Sequence, residues 1–63
     1  MIDQKHIRER LIKIIDDDGI RQIHIARKTG IIESNLSRFK NNILNLKRSD
    51  IERLDQYLKS KGY

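Results

Sequence analysis

The stretch IRQIHIARKTGIIESNLSRFKNN, residues 20–42, contains the strongest structural signal in the chain. Gly30 separates two short runs that each have the apolar spacing of an amphipathic helix. Ala26, the only alanine in the sequence, lies four residues before that glycine. A small side chain allows two helices to cross closely, and glycine readily adopts the positive φ that a tight turn needs. The stretch therefore predicts two short helices folded back on each other, with Gly30 in the turn.

Apolar residues on both sides of Gly30 are placed to face inward. The first helical pattern opens at Ile20 and ends at Gly30, and the second runs from Glu33 to Lys40. The side chains expected to flank the crossing point in the core are Ile25, Ile31, Leu36 and Phe39. This spacing leaves a row of small polar and basic side chains on the outer face of the second helix.

The segment before this pair predicts another helix. Its apolar residues recur with the period of one helical face: Ile7, Leu11, Ile14 and Ile15. Asp3 is suited to the N-cap and Gly19 to the residue after the C-cap, so the helix should cover about residues 4–17.

The segment after the pair predicts a loop and a last helix. NNILNLK, residues 41–47, lacks a helical period and reads as a loop whose isoleucine and leucines turn inward. Ser49 and Glu52 have the spacing of a capping box. Apolar residues then follow at helical spacing, with Gly62 as the stop: Ile51, Leu54 and Leu58. Four helices and no strand predict an all-α fold, a compact four-helix domain.

Composition excludes several classes of protein. A chain of 63 residues with no cysteine has no disulfide or thiolate chemistry, and no zinc site is expected. His6 and His24 lack the spacing of metal ligands and are predicted to be surface residues. No paired carboxylates, nucleophile or glycine-rich phosphate loop occur at a useful spacing, so we expect no enzyme, no cofactor and no small-molecule substrate. The longest apolar runs are two residues, so neither a membrane span nor a signal peptide is expected.

Positive charge is concentrated in one part of the sequence. The formal charge is −1 over residues 1–19, +6 over residues 20–48 and 0 over residues 49–63, which gives the total of +5. The whole excess therefore lies on the predicted helix pair and the loop after it. Such concentration favours a polyanionic partner.

The stretch QIHIARKTGIIESNLSRF, residues 22–39, resembles the helix-turn-helix of phage repressors and Cro proteins, the Cro/C1-type (XRE) family. The resemblance covers residues 20–42 closely and the flanking helices by position and apolar pattern. It implies a lambda-repressor-like fold in which residues 1–63 form a single DNA-binding domain. It further implies a regulator from a phage, plasmid or other mobile element, acting in the bacterial cytosol or nucleoid. Such a protein binds the major groove of double-stranded DNA as a homodimer on an inverted-repeat operator.

The same resemblance places five side chains on or beside the recognition helix: Glu33, Ser34, Asn35, Ser37 and Arg38. Arg38 is the best candidate for base contact, because a guanidinium can donate two hydrogen bonds to guanine O6 and N7. A phosphate contact or an ion pair with Glu33 is the alternative for this arginine. Ser34 could contact a base or cap the helix, and Asn35 could bind adenine or face solvent.

A second group of residues is expected to contact phosphates, which positions a protein on DNA without reading its sequence. Its members are Gln22, Ser37, Lys40, Asn41 and Asn42. Arg27 and Lys28 are interpreted as solvated charges. The last helix and the tail YLKSKGY, with Tyr57 and Tyr63, are the predicted dimer surface, with Ile43 and Leu44 as possible additions; ordinary packing is the alternative for Tyr57.

The sequence departs from the family pattern at four positions. Ile32 stands where a capping Ser or Thr is frequent, and Glu33 where glutamine is frequent. Arg21 replaces a capping residue, and Ile23 falls on a face that is usually polar. The apolar and acidic residues on the reading face support an alternative function: a protein-interaction module, such as an antirepressor or inhibitor, on a helix-turn-helix scaffold.

Overall fold

The computed structural model describes residues 3–63, and this part of the chain forms four α-helices with no strand. The helices are α1 Gln4–Asp18, α2 Gln22–Thr29, α3 Glu33–Lys40 and α4 Arg48–Ser60. The predicted all-α fold with four helices is confirmed. Every helix in residues 3–63 is too short or too polar to span a bilayer.

Both ends of α1 follow from the residues predicted to set them. The Asp3 carboxylate accepts a hydrogen bond from the backbone N–H of Lys5 at 3.0 Å, which caps the first turn. Gly19 follows the helix with φ of 67°, the left-handed conformation that ends helices. The helix is one residue longer than predicted, because Asp18 completes its last turn.

The turn between α2 and α3 is centred on Gly30, as predicted. Its φ is 74°, and the N–H groups of Gly30 and Ile31 both donate to the carbonyl of Ala26, at 2.9 and 3.1 Å. This pattern closes the end of α2 and sends the chain back along it within three residues. Ile20 lies before α2 rather than in it, half-buried and packed against the core.

The core contains the apolar residues that helical spacing selected. Its fully buried large side chains are Phe39, Leu11, Ile14, Ile25, Leu36, Leu54 and Leu58. Ala26 and Ile31 are also buried, so the crossing of α2 and α3 has the small residue and the inward isoleucine that were predicted. Removing this apolar surface from water is the main stabilising contribution for so short a chain.

The predicted start of α4 is wrong. The helix begins at Arg48 with Lys47 as N-cap, and no side chain caps it, so Ser49 lies inside the first turn and forms no capping box. Glu52 instead accepts a hydrogen bond from Arg48 at 2.9 Å. Upstream, the Gln4 side chain donates to the carbonyl of Leu46 at 2.8 Å and accepts from its N–H at 3.0 Å. This contact with α1 holds the backbone directly before the N-cap Lys47 and is not part of the local capping pattern.

The prediction for the α3–α4 loop is wrong at one residue. Leu46 is buried and Leu44 half-buried, but Ile43 is 69% exposed. Asn42 has φ of 62°, and the N–H of Ile43 donates to the carbonyl of Arg38 at 2.8 Å. The left-handed residue reverses the chain, and Ile43 points outward as a result.

Candidate nucleic-acid interface

Helix α3 has one buried and one exposed face. Leu36 and Phe39 are both fully buried, in a helix that packs against α1 and α2. The opposite face carries a polar stripe at intervals of three and four residues, consisting of Ser34, Ser37, Arg38 and Asn41. Ser37 is half-buried and the other three are exposed. The stripe is therefore a solvent-facing row of hydrogen-bonding side chains on a rigid helix.

Arg38 and Ser34 lie one above the other in this stripe, and within residues 3–63 neither takes the intramolecular role that was its alternative. The alternative ion pair between Arg38 and Glu33 is not formed among residues 3–63. Nor does Ser34 cap α3, because the N-cap is Ile32 and has no side-chain hydrogen bond. Both polar groups are thus available to a ligand, and Glu33 is exposed beside them.

Asn35 lies on a different side of α3 from the stripe. It is half-buried and lines an open cavity of about 350 Å³ between the Gly30 turn and the loop before α4. Ile32, Leu44 and Lys47 line the same cavity. The prediction that Asn35 contacts a base stays a prediction.

The residues predicted to contact phosphate occupy two ends of the helix pair. Gln22 is the first residue of α2 and is half-buried; its neighbour Arg21 is an extended N-cap without a side-chain hydrogen bond. The first N–H groups of α2 are therefore not capped by that side chain, an arrangement suited to an anion. Lys40, Asn41 and Asn42 lie at the opposite end, where α3 stops, with both asparagines exposed.

Asn42 also has a structural role that the sequence interpretation missed. Of residues 3–63, it is the only non-glycine residue with positive φ. Its N–H donates to the carbonyl of Phe39 at 3.1 Å, and this bond together with the one from Ile43 closes α3. An asparagine just after a helical pattern is a known signal for this conformation, so the sequence did contain the information.

Two residues of α1 adjoin this end of α3 and were also missed. Arg8 donates from Nε to the carbonyl of Phe39 at 2.6 Å, and its guanidinium lies 4.6 Å from the centre of the Phe39 ring. Lys5 lies three residues earlier on the same face of α1. The two line a surface cavity of about 520 Å³ together with Glu9, Ile12, Lys40, Asn41 and Asn42. The sequence showed that Lys5 and Arg8 share a face of α1, but no sequence pattern predicts that this face lies next to α3.

Most cations of residues 20–48 have no carboxylate nearby. Arg48 is within 4.0 Å of Glu52, but the other six lack such a partner within residues 3–63: Arg21, Arg27, Lys28, Arg38, Lys40 and Lys47. All except Lys40, which is half-buried, are exposed. The helix pair and the loop after it therefore carry positive charge without carboxylate partners, and such charge raises the local potential for an anionic partner.

The tyrosines predicted at a dimer surface make contacts within the chain. Tyr57 packs against the core, its hydroxyl is buried without a hydrogen-bond partner in residues 3–63, and burial raises its pKa. Tyr63 donates from its hydroxyl to Asp18 at 2.9 Å, and this hydrogen bond raises the pKa of the phenol. Ordinary packing therefore accounts for the position of Tyr57. His6 and His24 are exposed, as predicted.

Comparison of the chain with protein-family models, curated proteins and solved structures gives no match. The resemblance to the Cro/C1-type family accordingly remains a prediction based on residues 20–42. The four-helix fold and the exposure of the polar stripe do not depend on that resemblance, since they are read from the structure itself.

Proposed function

We propose that this protein is a sequence-specific DNA-binding transcriptional regulator that reads the major groove with α3. The observation that carries the proposal is the polar stripe of α3, on a helix pair and following loop whose cations, nearly all exposed, lack carboxylate partners except at Arg48. Phosphate groups attract the cations and supply most of the affinity, whereas the stripe supplies hydrogen-bonding groups for base edges.

In this proposal, the position of each residue on α2 and α3 determines whether it contacts a base or a phosphate. Arg38 lies at the centre of the stripe and donates two hydrogen bonds to guanine, with Ser34 one helical turn away to contact a neighbouring base. Gln22 and the N-terminal N–H groups of α2 bind one phosphate, and Lys40 and the two asparagines bind another beyond the far end of α3. Contacts at both ends would fix the register of α3 in the groove.

A single copy of α3 reads only a few base pairs, so the proposal includes a homodimer on an inverted repeat. The centres of the two half-sites would then be about 34 Å apart, one turn of DNA. Exposed Ile43 and half-buried Leu44 are the apolar loop residues available for such a contact. A protein of this type acts most simply as a repressor, by occluding promoter sequence.

The experiment is a selection of bound duplexes from a random DNA pool at near-physiological salt, repeated with Arg38→Ala and Arg38→Lys. The wild type should enrich an inverted repeat. Arg38→Ala should relax one position in each half-site by about 1–3 kcal/mol of discrimination. Arg38→Lys keeps the charge but loses the planar fork, so it should retain affinity better than selectivity.

Two results would contradict the proposal. One is a wild type that enriches no sequence and whose weak binding at low salt disappears as salt rises. The other is an Arg38→Ala protein that selects the same operator with every position unchanged, which would remove Arg38 from the reading role. Circular dichroism of both variants confirms that a loss is not a loss of folding.

The exposed isoleucines favour one second candidate, a protein-interaction module such as an antirepressor or inhibitor. Ile32 and Ile43 are 66% and 69% exposed, and Ile23 is 37% exposed. Salt separates the two candidates. Binding through several phosphates makes log K fall steeply with log salt concentration, whereas an apolar protein contact is nearly insensitive to salt.

A further inference from the structure

Ile32 occupies a position where folding does not favour isoleucine. It is the N-cap of α3, with φ of −63° and ψ of 129°, and it makes no side-chain capping bond. Ser, Asn and Asp are strongly preferred at such a position, because their oxygens accept a hydrogen bond from the first N–H groups of the helix. Isoleucine offers no acceptor, so the N-cap residue leaves those donors at the start of α3 without a capping side chain.

Burial does not compensate for the missing cap. The side chain of Ile32 is 66% exposed, whereas its neighbour Ile31 is 4% exposed and belongs to the core. Ile32 lines the same open cavity as Asn35, but an aliphatic side chain that stays this exposed gains little by leaving water. Neither a side-chain cap nor burial in the core therefore explains this residue. Positions that break a local folding rule without compensation are where a functional role is expected.

The location of Ile32 indicates what that role is. It directly precedes Glu33 and lies two residues before Ser34, at the N-terminal end of α3. In helix-turn-helix recognition, this end of the second helix approaches the base edges. The major-groove edges of the four bases carry one aliphatic group, the C5-methyl of thymine.

We propose that Ile32 is a specificity residue that packs against the C5-methyl group of a thymine in each half-site. This inference rests on the proposed function and extends it, since it assigns an apolar contact next to the hydrogen-bonding stripe. Ile43 is as exposed but follows the opposite end of α3, away from the N-terminal residues that approach bases. The thymine would neighbour the base read by Ser34.

Uracil lacks only the C5-methyl group, so it tests the contact directly. The selected operator is synthesised with uracil in place of each thymine in turn, and affinity is measured by titration at fixed salt. At one thymine per half-site, uracil should weaken wild-type binding about fourfold, the effect of one methyl group removed from an apolar contact. The remaining thymines should show no such loss.

Variants of Ile32 separate the contact from stability. Ile32→Ser should bind thymine and uracil operators equally, yet its Tm should rise by about 4 °C because the serine supplies the missing cap. Ile32→Val keeps a branched aliphatic group and should retain most of the discrimination. Ile23→Ser removes an exposed isoleucine from α2 and should leave the discrimination at the wild-type value.

The outcomes distinguish failure of this inference from failure of the proposed function. If the wild type selects no operator, the proposed function and the thymine contact are both contradicted. An operator that is bound equally with thymine and uracil at every position, or that contains no thymine, overturns the thymine contact alone. Undiminished discrimination by Ile32→Ser does the same, and the exposed Ile32 would then belong to a protein contact.

Discussion

Charged side chains have different surroundings on the two sides of this molecule. Where α1 meets α4, Arg10 donates to Asp55 at 2.6 Å and to the main-chain oxygen of Tyr63 at 2.5 Å, and Lys59 lies 3.2 Å from the same carboxylate. Arg10 and Asp55 each expose only 14% of the side chain. On α2 and α3, by contrast, the cations have no carboxylate partner in residues 3–63, and all except the half-buried Lys40 are exposed.

This difference separates the charged side chains that link two helices from those that do not. A shielded ion pair with additional hydrogen bonds links two helices, and losing one partner leaves the other poorly compensated. Exposed like charges slightly destabilise a folded chain by repelling each other. The cations in the last turns of α2 and α3 favour the C-terminal ends of those helices modestly, but none of them links two helices as Arg10 does.

The largest expected effect comes from breaking the α1–α4 pairing. Arg10→Ala removes two charge-assisted hydrogen bonds and should lower the free energy of unfolding by about 2–3 kcal/mol. For a chain of this length, the fall in Tm should be roughly 10 °C or more. Urea titration and thermal melting measure both quantities.

Arg48→Ala is the matched control for that prediction. Arg48 also pairs with a carboxylate, Glu52, but its side chain is 92% exposed. We expect a change of less than about 0.5 kcal/mol in the free energy of unfolding. Equal losses for the two arginines would contradict the distinction between shielded and exposed pairs.

The next effect concerns Asn42, where a structural and a proposed binding role coincide. Asn42→Ala places a Cβ-bearing residue without a compensating polar group at φ of 62°, and should cost about 1 kcal/mol of stability. Asn42→Gly accepts this conformation and should be as stable as the wild type. Thermal melts of the two variants check the difference.

The glycine variant then isolates the binding role. If the Asn42 side chain contacts a phosphate, Asn42→Gly should bind all duplexes more weakly by a similar factor while folding normally. Unchanged affinity would restrict Asn42 to ending α3. Equal stability of Asn42→Ala and Asn42→Gly would instead contradict the structural role.

The turn at Gly30 shows what a local pattern is able to predict. Its conformation follows from one residue type and its neighbours along the chain, as do the cap at Asp3 and the burial of Leu36 and Phe39. These features depend on contacts within a few residues, or on a helical period that repeats. The outward orientation of Arg38 follows from the same period.

Two of the contacts that were missed, unlike the local signal at Asn42, join residues distant in sequence. Arg8 and Phe39 are 31 residues apart, and Gln4 and Leu46 are 42 apart. Helical spacing does not tell which helix lies beside which, so the contribution of α1 to the end of α3 was not predictable. The predicted start of α4 was wrong at a place where such a distant contact exists, since Gln4 binds the backbone of Leu46 just before the helix.

A smaller effect is expected on acidification, through Asp55. The hydrogen bond from Arg10 holds the pKa of this carboxyl below its usual value of 3.8, although burial acts in the opposite direction. A lowered pKa in the folded state stabilises the fold above the pKa of the unfolded chain, and this contribution is lost as pH falls through the folded value. Stability should therefore fall below about pH 4.

Asp55→Asn tests this assignment because it keeps the shape and removes the charge. The variant should be less stable than the wild type at pH 7, and the difference should shrink as pH falls below about 4. Urea titrations at several pH values measure it. A constant difference across the series would show that another carboxyl group dominates the acid response.

The smallest expected effect tests whether α1 contributes to the proposed DNA-binding surface as well as to the pairing with α4. Lys5 is exposed and lines the cavity shared with Lys40, Asn41 and Asn42, where α1 adjoins the proposed DNA-binding surface. If a phosphate binds there, Lys5→Gln should lower the slope of log K against log salt concentration by about 0.9. Lys13→Gln, which removes an exposed charge elsewhere on the same helix, should leave the slope unchanged. Equal slopes for wild type and both variants would exclude a phosphate contact by Lys5, since each phosphate contact releases its own share of counterions whatever the base sequence.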